Sequence, residues 1–261
     1  MLLATLGPFI YIYLQRKAEK FLLSRTSQLQ EELQTTQQRL LQAERLAAAG
    51  SLASSLAHEI KNPLTSIRTF TSFLEERYKD PEFIKKFTKI VPSELDRIHS
   101  ILQQLLDFSC PKPLKLSPYN IANLLDETLE LVEPQLSKHN ICLKKLYTSK
   151  DIPPIMLDTH QLKQALLNIL LNAIDAMEKG GSLTIALDSK PGQLTITISD
   201  TGKGISKQDL AHIFDPFYSK KDKGIGLGLA ITYGIIKNHK ADIRVKSKPK
   251  EGTTFLISFP I

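Results

Sequence analysis

A histidine followed directly by a glutamate is the feature of this sequence best suited to chemistry. His58 and Glu59 lie in the segment LAHEIKNPLTSI (56–67), which also contains Asn62 and Pro63. Apolar residues recur through this segment at alternating spacings of three and four, which predicts a helix with a packed seam. His58 lies off that seam, so we expect its imidazole to face solvent beside a carboxylate. This arrangement suits a nucleophile with its own base better than a core histidine.

Two asparagines form a second candidate site. Asn168 and Asn172 are four residues apart in the strongly helical segment QLKQALLNILLNAIDAM (161–177), so they share one helix face. Amide oxygens suit Mg²⁺, a hard cation that keeps waters and phosphate oxygens as its other ligands. Amides on a plain helix surface are the simpler alternative.

An aspartate at the end of an apolar strand forms a third candidate site. Asp200 lies in ISDTGKGI (198–205), directly before a turn that contains Gly202 and Gly204. These glycines let the backbone approach a flat ligand closely. A carboxylate at this point can accept a proton from a ligand amine, and a turn cap is the simpler alternative.

A second glycine-rich segment is suited to phosphate. GIGLGLAI (224–231) opens onto a predicted helix, so backbone amides and the helix dipole can meet phosphate oxygens there. Its three glycines are Gly224, Gly226 and Gly228.

These segments, with IFDPFYSK (213–220) and EGTTF (251–255), closely resemble the boxes of bacterial two-component sensor histidine kinases. The resemblance runs from about residue 44 to the C-terminus, with the boxes in the same order and at similar distances. The sequence around His58 is most similar to that of the nitrogen-regulation group. The resemblance implies ATP and Mg²⁺ as cofactors and the receiver domain of a response regulator as a partner.

The resemblance also implies roles for the residues around the histidine. His58 would accept the γ-phosphoryl group of ATP and pass it to an aspartate of the regulator. Glu59 would act as the base or orient the imidazole. An amide at the spacing of Asn62 would position the water that dephosphorylates the regulator, although it could instead satisfy the backbone that Pro63 disrupts.

In the nucleotide site, the resemblance assigns Asn172 as the Mg²⁺ ligand, with Asn168 near the phosphates. Asp200 would accept the amino proton of adenine. The remaining matches are the adenine-pocket threonine, two residues of the mobile lid and the glycines of both boxes: Thr253, Phe214, Lys220, Gly202, Gly204, Gly224, Gly226 and Gly228.

Asn168 also bears on two rival functions. Gyrase-type ATPases, which share this ATP-binding fold, hold a water-activating glutamate where this sequence has Asn168. An amide has no basicity, which argues against a gyrase-like ATPase. Intact Asn172, Asp200 and glycine boxes argue against a non-catalytic dimeric adaptor.

The elements that must position these residues fall into three predicted regions after residue 14. We expect a coiled-coil linker at 15–45, a dimerisation and histidine phosphotransfer domain at 46–110, and a catalytic ATP-binding domain at 114–261. A helical hairpin broken at Lys79–Pro81 would form a four-helix bundle by homodimerisation, because one hairpin leaves its seam half exposed. The stripe expected on its second helix is Ile84, Phe87, Val91, Leu95, Ile98, Leu102 and Leu105.

Downstream, alternating strands and helices predict a two-layer α/β sandwich with one covered sheet face. We expect helices at Ile121–Lys138, Thr159–Lys179 and Gly228–Asn238, and strands at Ile141–Tyr147, Ser182–Asp188, Gln193–Ser199, Asp242–Ser247 and Thr253–Phe259.

The first residues allow two interpretations. Residues 1–14 are apolar but shorter than the ~20 needed to span a bilayer, and basic residues follow them. We interpret them as the remnant or end of a membrane anchor, with a buried or partner-packed helix start as the alternative. The catalytic domains would then be cytoplasmic, attached to the inner face of the membrane.

Composition narrows the function only weakly. The 261-residue chain has a formal net charge of +7, but its basic residues are spread out among acids, so we expect no direct nucleic-acid partner. Its two cysteines show no metal spacing. The other histidines match no motif and are expected to be ordinary surface residues: His99, His139, His160, His212 and His239.

Overall fold

A computed structural model describes residues 53–110, 112–148, 152–221 and 224–261 of the chain. Before residue 53 it describes only residues 15–17, 20–22, 25–26, 28–30, 33, 36 and 50. These early residues are helical, and the side chains described between 15 and 36 are exposed, so pairing in a coiled coil stays a prediction. Residues 1–14, and with them the predicted anchor, lie outside the described residues. Within the described part of the chain, no helix is long and apolar enough to cross a bilayer.

A helical hairpin begins the continuous part of the structure. Helix α1 (Ala53–Ser72) is followed by the single turn α2 (Leu74–Arg77) and the long helix α3 (Pro81–Ser109). Asp80 caps α3, because its carboxylate accepts hydrogen bonds from the backbone N–H groups of Glu82 and Phe83. The predicted break before Pro81 is therefore confirmed.

The seam predicted on α1 is confirmed. Along the described part of this helix the apolar side chains at heptad-like spacing are buried or half-buried, and most of the polar residues between them face solvent. The described seam residues are Leu56, Ile60, Pro63, Ile67 and Phe70, with Leu74 on α2. The seam positions predicted before them, Leu46, Ala49 and Ala53, lie outside the residues whose side chains are described.

The stripe predicted on α3 is only partly covered within the single chain. Leu95 and Leu102 are 53% and 45% exposed, whereas Phe83, Ile101 and Phe108 are buried. The apolar residues of α3 cover two faces of the helix, and only one of these packs within the chain. The seam of the lone hairpin is thus left partly open, as the sequence predicts.

A mixed five-stranded sheet forms one layer of the C-terminal domain. Its strands are β2 (Ile141–Tyr147), β4 (Gly181–Lys190), β5 (Gln193–Asp200), β6 (Asp242–Lys248) and β7 (Gly252–Pro260). Their order in the sheet is β2-β4-β5-β7-β6, with β2 and β4 parallel and the other neighbours antiparallel. Buried and less buried residues alternate along β4 and β5, so one sheet face carries the core.

Three helices form the second layer and confirm the predicted two-layer α/β sandwich. They are α4 (Ile121–Lys138), α5 (Thr159–Ala176) and α7 (Gly228–Asn238), and α5 packs against both of the others. Burying the leucine and isoleucine side chains of α5 stabilises the fold by about 1.5–3 kcal/mol each.

Several short elements were not predicted from the sequence. Strands β1 (Ser117–Tyr119) and β3 (Ile155–Leu157) pair antiparallel in a separate sheet, and α6 (Lys207–Leu210) is one turn long. Elements of three or four residues are too short to show a period. Helix α5 ends at Ala176, three residues before the predicted end, because the chain must turn through Gly180, with φ 86°, to enter β4.

His239 is buried, and its interpretation as a surface residue is wrong. It follows α7 and is only 8% exposed. Its Nε2 accepts the backbone N–H of Asp158 at 2.9 Å, so Nδ1 carries the proton and donates to the carbonyl oxygen of Ile235 at 2.8 Å. The ring thus ties the end of α7 to the start of α5.

The hairpin contacts the sandwich through the end of α3. The rings of Phe108 and Phe217 meet edge to face at 5.7 Å, and Gln164 Nε2 donates to Asp107 Oδ2 at 2.8 Å. These contacts bring Gln104 to the wall of the cavity described next.

Candidate functional site

Helix α5 presents a polar stripe to a cavity. Asp158 caps the helix by accepting the N–H of Gln161. Most of the helix's apolar side chains are buried in the core, whereas Asn168, Asn172 and Asp175 line a cavity of about 380 Å³. Spacings of four and three place these side chains along one face. The predicted pairing of the two asparagines at one site is therefore supported by the geometry.

Asp200 lies at the end of β5, inside the same cavity. The carboxylate is 5% exposed and accepts the N–H of Gly202 at 2.8 Å and of Thr253 at 3.2 Å. Both hydrogen bonds go to Oδ1, which leaves Oδ2 for a donor on a ligand. Burial raises the pKa of Asp200, and the two N–H donors offset only part of this effect.

Two glycines around the cavity could not be replaced without moving the backbone. Gly204 has φ 67°, and a Cβ at this residue would lie 2.0 Å from the carbonyl oxygen of Lys248. Gly226 has φ 75°, and a Cβ there would lie 2.6 Å from the backbone of Phe217 and Tyr218. Both glycines line the cavity, as predicted.

The asparagine oxygen predicted to bind a metal contacts a cation in this structure. Lys221 Nζ donates to Asn172 Oδ1 at 2.6 Å and to Asp175 Oδ2 at 2.7 Å. Asn168 instead donates its Nδ2 to the carbonyl oxygen of Gly228 at 3.1 Å, at the start of α7. Oxygen donors that converge on one positive charge are the donor set that Mg²⁺ prefers, so the residues present fit the ion.

Lys220, the residue predicted to neutralise phosphate, is paired with a carboxylate. Its Nζ lies 2.6 Å from Asp209 Oδ1, and Tyr218 Oη donates to the same oxygen at 2.7 Å. These hydrogen bonds, with that of Ser206, lower the pKa of Asp209 to about 2. Lys220 lines the cavity but would have to leave Asp209 to contact a phosphate.

The cavity gathers most of the predicted nucleotide-site residues, but not all. Gly202 and Phe214 do not line it: Gly202 supports Asp200, and the ring of Phe214 packs on Tyr233 at 5.1 Å. The predicted residues that do line it are Asn168, Asn172, Asp200, Gly204, Lys220, Gly224, Gly226, Gly228 and Thr253.

The histidine lies apart from this cavity, on α1. His58 and Asn62 are exposed, as predicted, and neither lines the cavity. Glu59 is half-buried and accepts a hydrogen bond from Arg97 Nη2 of α3 at 2.9 Å. The carboxylate beside the histidine is thus held by a guanidinium group from the other helix of the hairpin.

Sequence reasoning missed Asp175, Lys221 and Arg97. Asp175 could have been found, because it continues the stripe of Asn168 and Asn172 on the same helix face. The others required knowledge of which distant segments meet.

Comparisons with known proteins agree with this arrangement. Residues 48–113 match the family described as His Kinase A (phospho-acceptor) domain. Residues 157–261 match the family described as Histidine kinase-, DNA gyrase B-, and HSP90-like ATPase. The chain belongs to the two-component sensor histidine kinases.

The chain is similar to several named kinases. It is 38% identical over 230 residues to sporulation kinase A of Bacillus subtilis (strain 168), covering 88% of this chain and 37% of that protein. It is 40% identical over 228 residues to the signal transduction histidine-protein kinase AtoS of Escherichia coli (strain K12), covering 87% and 37%. The chain thus spans little more than a third of the length of these relatives.

A solved structure shares both parts of the fold. The histidine kinase ThkA, crystallised in complex with response regulator protein TrrA, matches with a TM-score of 0.74 and 28% identity. The match covers 88% of this chain and 66% of that one. The family of the second domain implies that this histidine kinase binds ATP.

We predict that Asp200→Asn weakens nucleotide binding by at least about tenfold, because the amide can place a donor against the adenine amine and leave it unsatisfied. Wild-type affinity should also fall on acidification, since protonation removes the acceptor. Because the pKa of Asp200 is raised, this loss begins at a higher pH than an ordinary aspartate would give.

Calorimetric titration with ADP at several pH values measures both effects, with Asp188→Asn on strand β4 as the control. Equal affinities for wild type and Asp200→Asn would mean that this cavity is not the adenine pocket.

Proposed function

We propose that this protein is an ATP-dependent protein-histidine kinase that phosphorylates its own His58. The observation that carries the proposal is the pairing of an exposed imidazole beside Glu59 with a cavity lined by Asn168, Asn172 and Asp200. The cavity has an amide, Asn168, where a hydrolytic ATPase of this fold would need a base. The γ-phosphoryl group of ATP is therefore transferred to an acceptor other than water.

Different residues of the chain bind the adenine, the phosphates and the metal ion. Asp200 Oδ2 accepts a hydrogen bond from the amino group of adenine, while Oδ1 stays fixed by Gly202 and Thr253. Backbone amides at the glycine-rich start of α7 donate to phosphate oxygens. Asn172 would hold Mg²⁺ through its amide oxygen, and the bound ion would neutralise phosphate charge.

His58 supplies the nucleophile. An unprotonated ring nitrogen forms a bond to the γ-phosphorus as the bond to the bridging oxygen breaks, and ADP leaves with that oxygen. Glu59 accepts a hydrogen bond or the proton from the other ring nitrogen. Arg97 acts as a positioning residue, because its hydrogen bond fixes where the Glu59 carboxylate lies.

We further propose that phospho-His58 passes its phosphoryl group to an aspartate of a receiver domain docked on the hairpin. The bond from nitrogen to phosphorus breaks as the bond to the carboxylate oxygen forms. The relative ThkA, which was crystallised in complex with response regulator protein TrrA, supports a partner of this class.

Incubation with γ-labelled ATP tests the kinase proposal. Wild type should gain acid-labile, alkali-stable label, and His58→Ala should gain none. His99→Ala removes another exposed histidine, on α3, and should keep the label. His58→Gln should still bind ADP, which separates loss of the acceptor from loss of the nucleotide site. Label that persists in His58→Ala would overturn the assignment.

We propose a homodimer that buries the apolar residues which the single hairpin leaves open. Leu64, Leu95, Leu102 and Leu106 are between 45% and 59% exposed on α1 and α3. A pair of hairpins joined across such residues forms a four-helix bundle.

The double substitution Leu95→Lys and Leu102→Lys should therefore yield monomers, because it places charges in the bundle seam. Sedimentation measures the mass, and Leu131→Lys, which changes an exposed leucine of α4, is the control. A double variant that remains dimeric would exclude this face.

We also propose that Asn62 supports dephosphorylation of the regulator. It is exposed one turn after His58 on α1, so its amide can hold a water near a docked phospho-aspartate. Asn62→Ala should keep substantial autophosphorylation but lose most of the phosphatase rate, measured as release of phosphate from the labelled regulator.

Thr69→Ala, which changes an exposed residue about two turns beyond Asn62 on α1, is the control. A wild-type phosphatase rate in Asn62→Ala would leave Asn62 a structural role only.

A further inference from the structure

A lysine ammonium is held between two oxygen atoms of helix α5. Lys221 Nζ lies 2.6 Å from Asn172 Oδ1 and 2.7 Å from Asp175 Oδ2. One acceptor is a neutral amide and the other a carboxylate, and they are three residues apart on one helix face. All three residues line the cavity that contains Asp200.

This arrangement has the features of a cation site. Asn172 is the residue proposed to bind Mg²⁺, but an amide carries no charge to hold a divalent ion. Asp175 supplies that charge one turn along the helix. Carboxylate and amide oxygens are hard donors and suit Mg²⁺ better than a softer metal.

An ammonium group and a magnesium ion cannot share these two oxygens. Both are positive, and Nζ already lies at hydrogen-bonding distance from each oxygen. Entry of the ion therefore requires Lys221 to leave, and occupation by Lys221 opposes entry of the ion. The two events are linked, so each lowers the apparent affinity of the other.

We propose that Asp175 completes the cation site begun by Asn172, and that the Lys221 ammonium occupies this site until Mg²⁺ and nucleotide displace it. The proposal rests on the proposed nucleotide-binding function and deepens it, because it assigns a further binding residue and a competitor within the chain. In the absence of metal, Lys221 also neutralises Asp175, whose charge would otherwise repel the phosphates.

The expected size of the competition follows from exposure. The side chains of Lys221 and Asp175 are 37% and 58% exposed, and a partly exposed ion pair of this kind is worth a factor of about two to five in an equilibrium. Removing the lysine should therefore lower the Mg²⁺ concentration at half-saturation by about that factor.

The experiment is a titration with Mg²⁺ at a fixed ADP concentration, in which calorimetry measures the binding. Lys221→Met should lower the Mg²⁺ concentration at half-saturation about two- to fivefold, because the competitor is gone. In EDTA the same variant should bind ADP about two- to fivefold more weakly, because Asp175 is no longer neutralised. Asp175→Asn should raise the Mg²⁺ half-saturation by at least about fivefold.

Lys237→Met is the matched control. Lys237 pairs with Asp242 at 2.7 Å with similar exposure, 42% and 45%, and it lies outside the nucleotide cavity. Its removal changes the net charge equally and should leave the Mg²⁺ midpoint unchanged.

The outcomes separate this inference from the function on which it rests. Failure of the wild type to bind ADP would overturn the nucleotide site itself. Normal wild-type binding, with midpoints unchanged in Lys221→Met and Asp175→Asn, would overturn the cation-site assignment alone. A higher midpoint in Lys221→Met would also overturn it, since the lysine would then assist binding of the metal complex.

Discussion

The site depends on helix α5 being buried on one side and polar on the other. Its leucine and isoleucine side chains fill the core between the sheet and the other helices, and their burial fixes the rotation of the helix about its axis. With the rotation fixed, Asn168, Asn172 and Asp175 must point into the cavity. A substitution that turned this helix by a fraction of a turn would move every polar ligand at once.

Asp158 connects the start of α5 to a neighbouring segment of the chain. Asp158 caps α5 and also accepts the N–H of Lys115 from the linker after the hairpin. Burial on its own raises the pKa of Asp158, but the backbone N–H donors outweigh it, and the net shift is downward. The stability that this carboxylate contributes is therefore present at neutral pH and is lost as pH falls through the lowered pKa.

Local spacing predicted the parts of the site that a single segment can define. The asparagines of α5, Asp200 with its glycines, and the exposed His58 each follow from one short stretch of sequence. Contacts across distant segments could not be predicted in this way. Arg97 reaches Glu59 from 38 residues away, and His239 reaches Asp158 from 81 residues away. The burial of His239, which looked like a surface residue in sequence, depends entirely on that contact.

We propose that ATP bound in this cavity gives its γ-phosphoryl group to the protein instead of to water. The most direct measurement is to follow protein-bound phosphate and free phosphate together in one reaction with labelled ATP. ADP should first form in step with phosphate on the protein, and His58→Ala should stop both. Sustained release of free phosphate by His58→Ala would show that the protein is a hydrolytic ATPase instead.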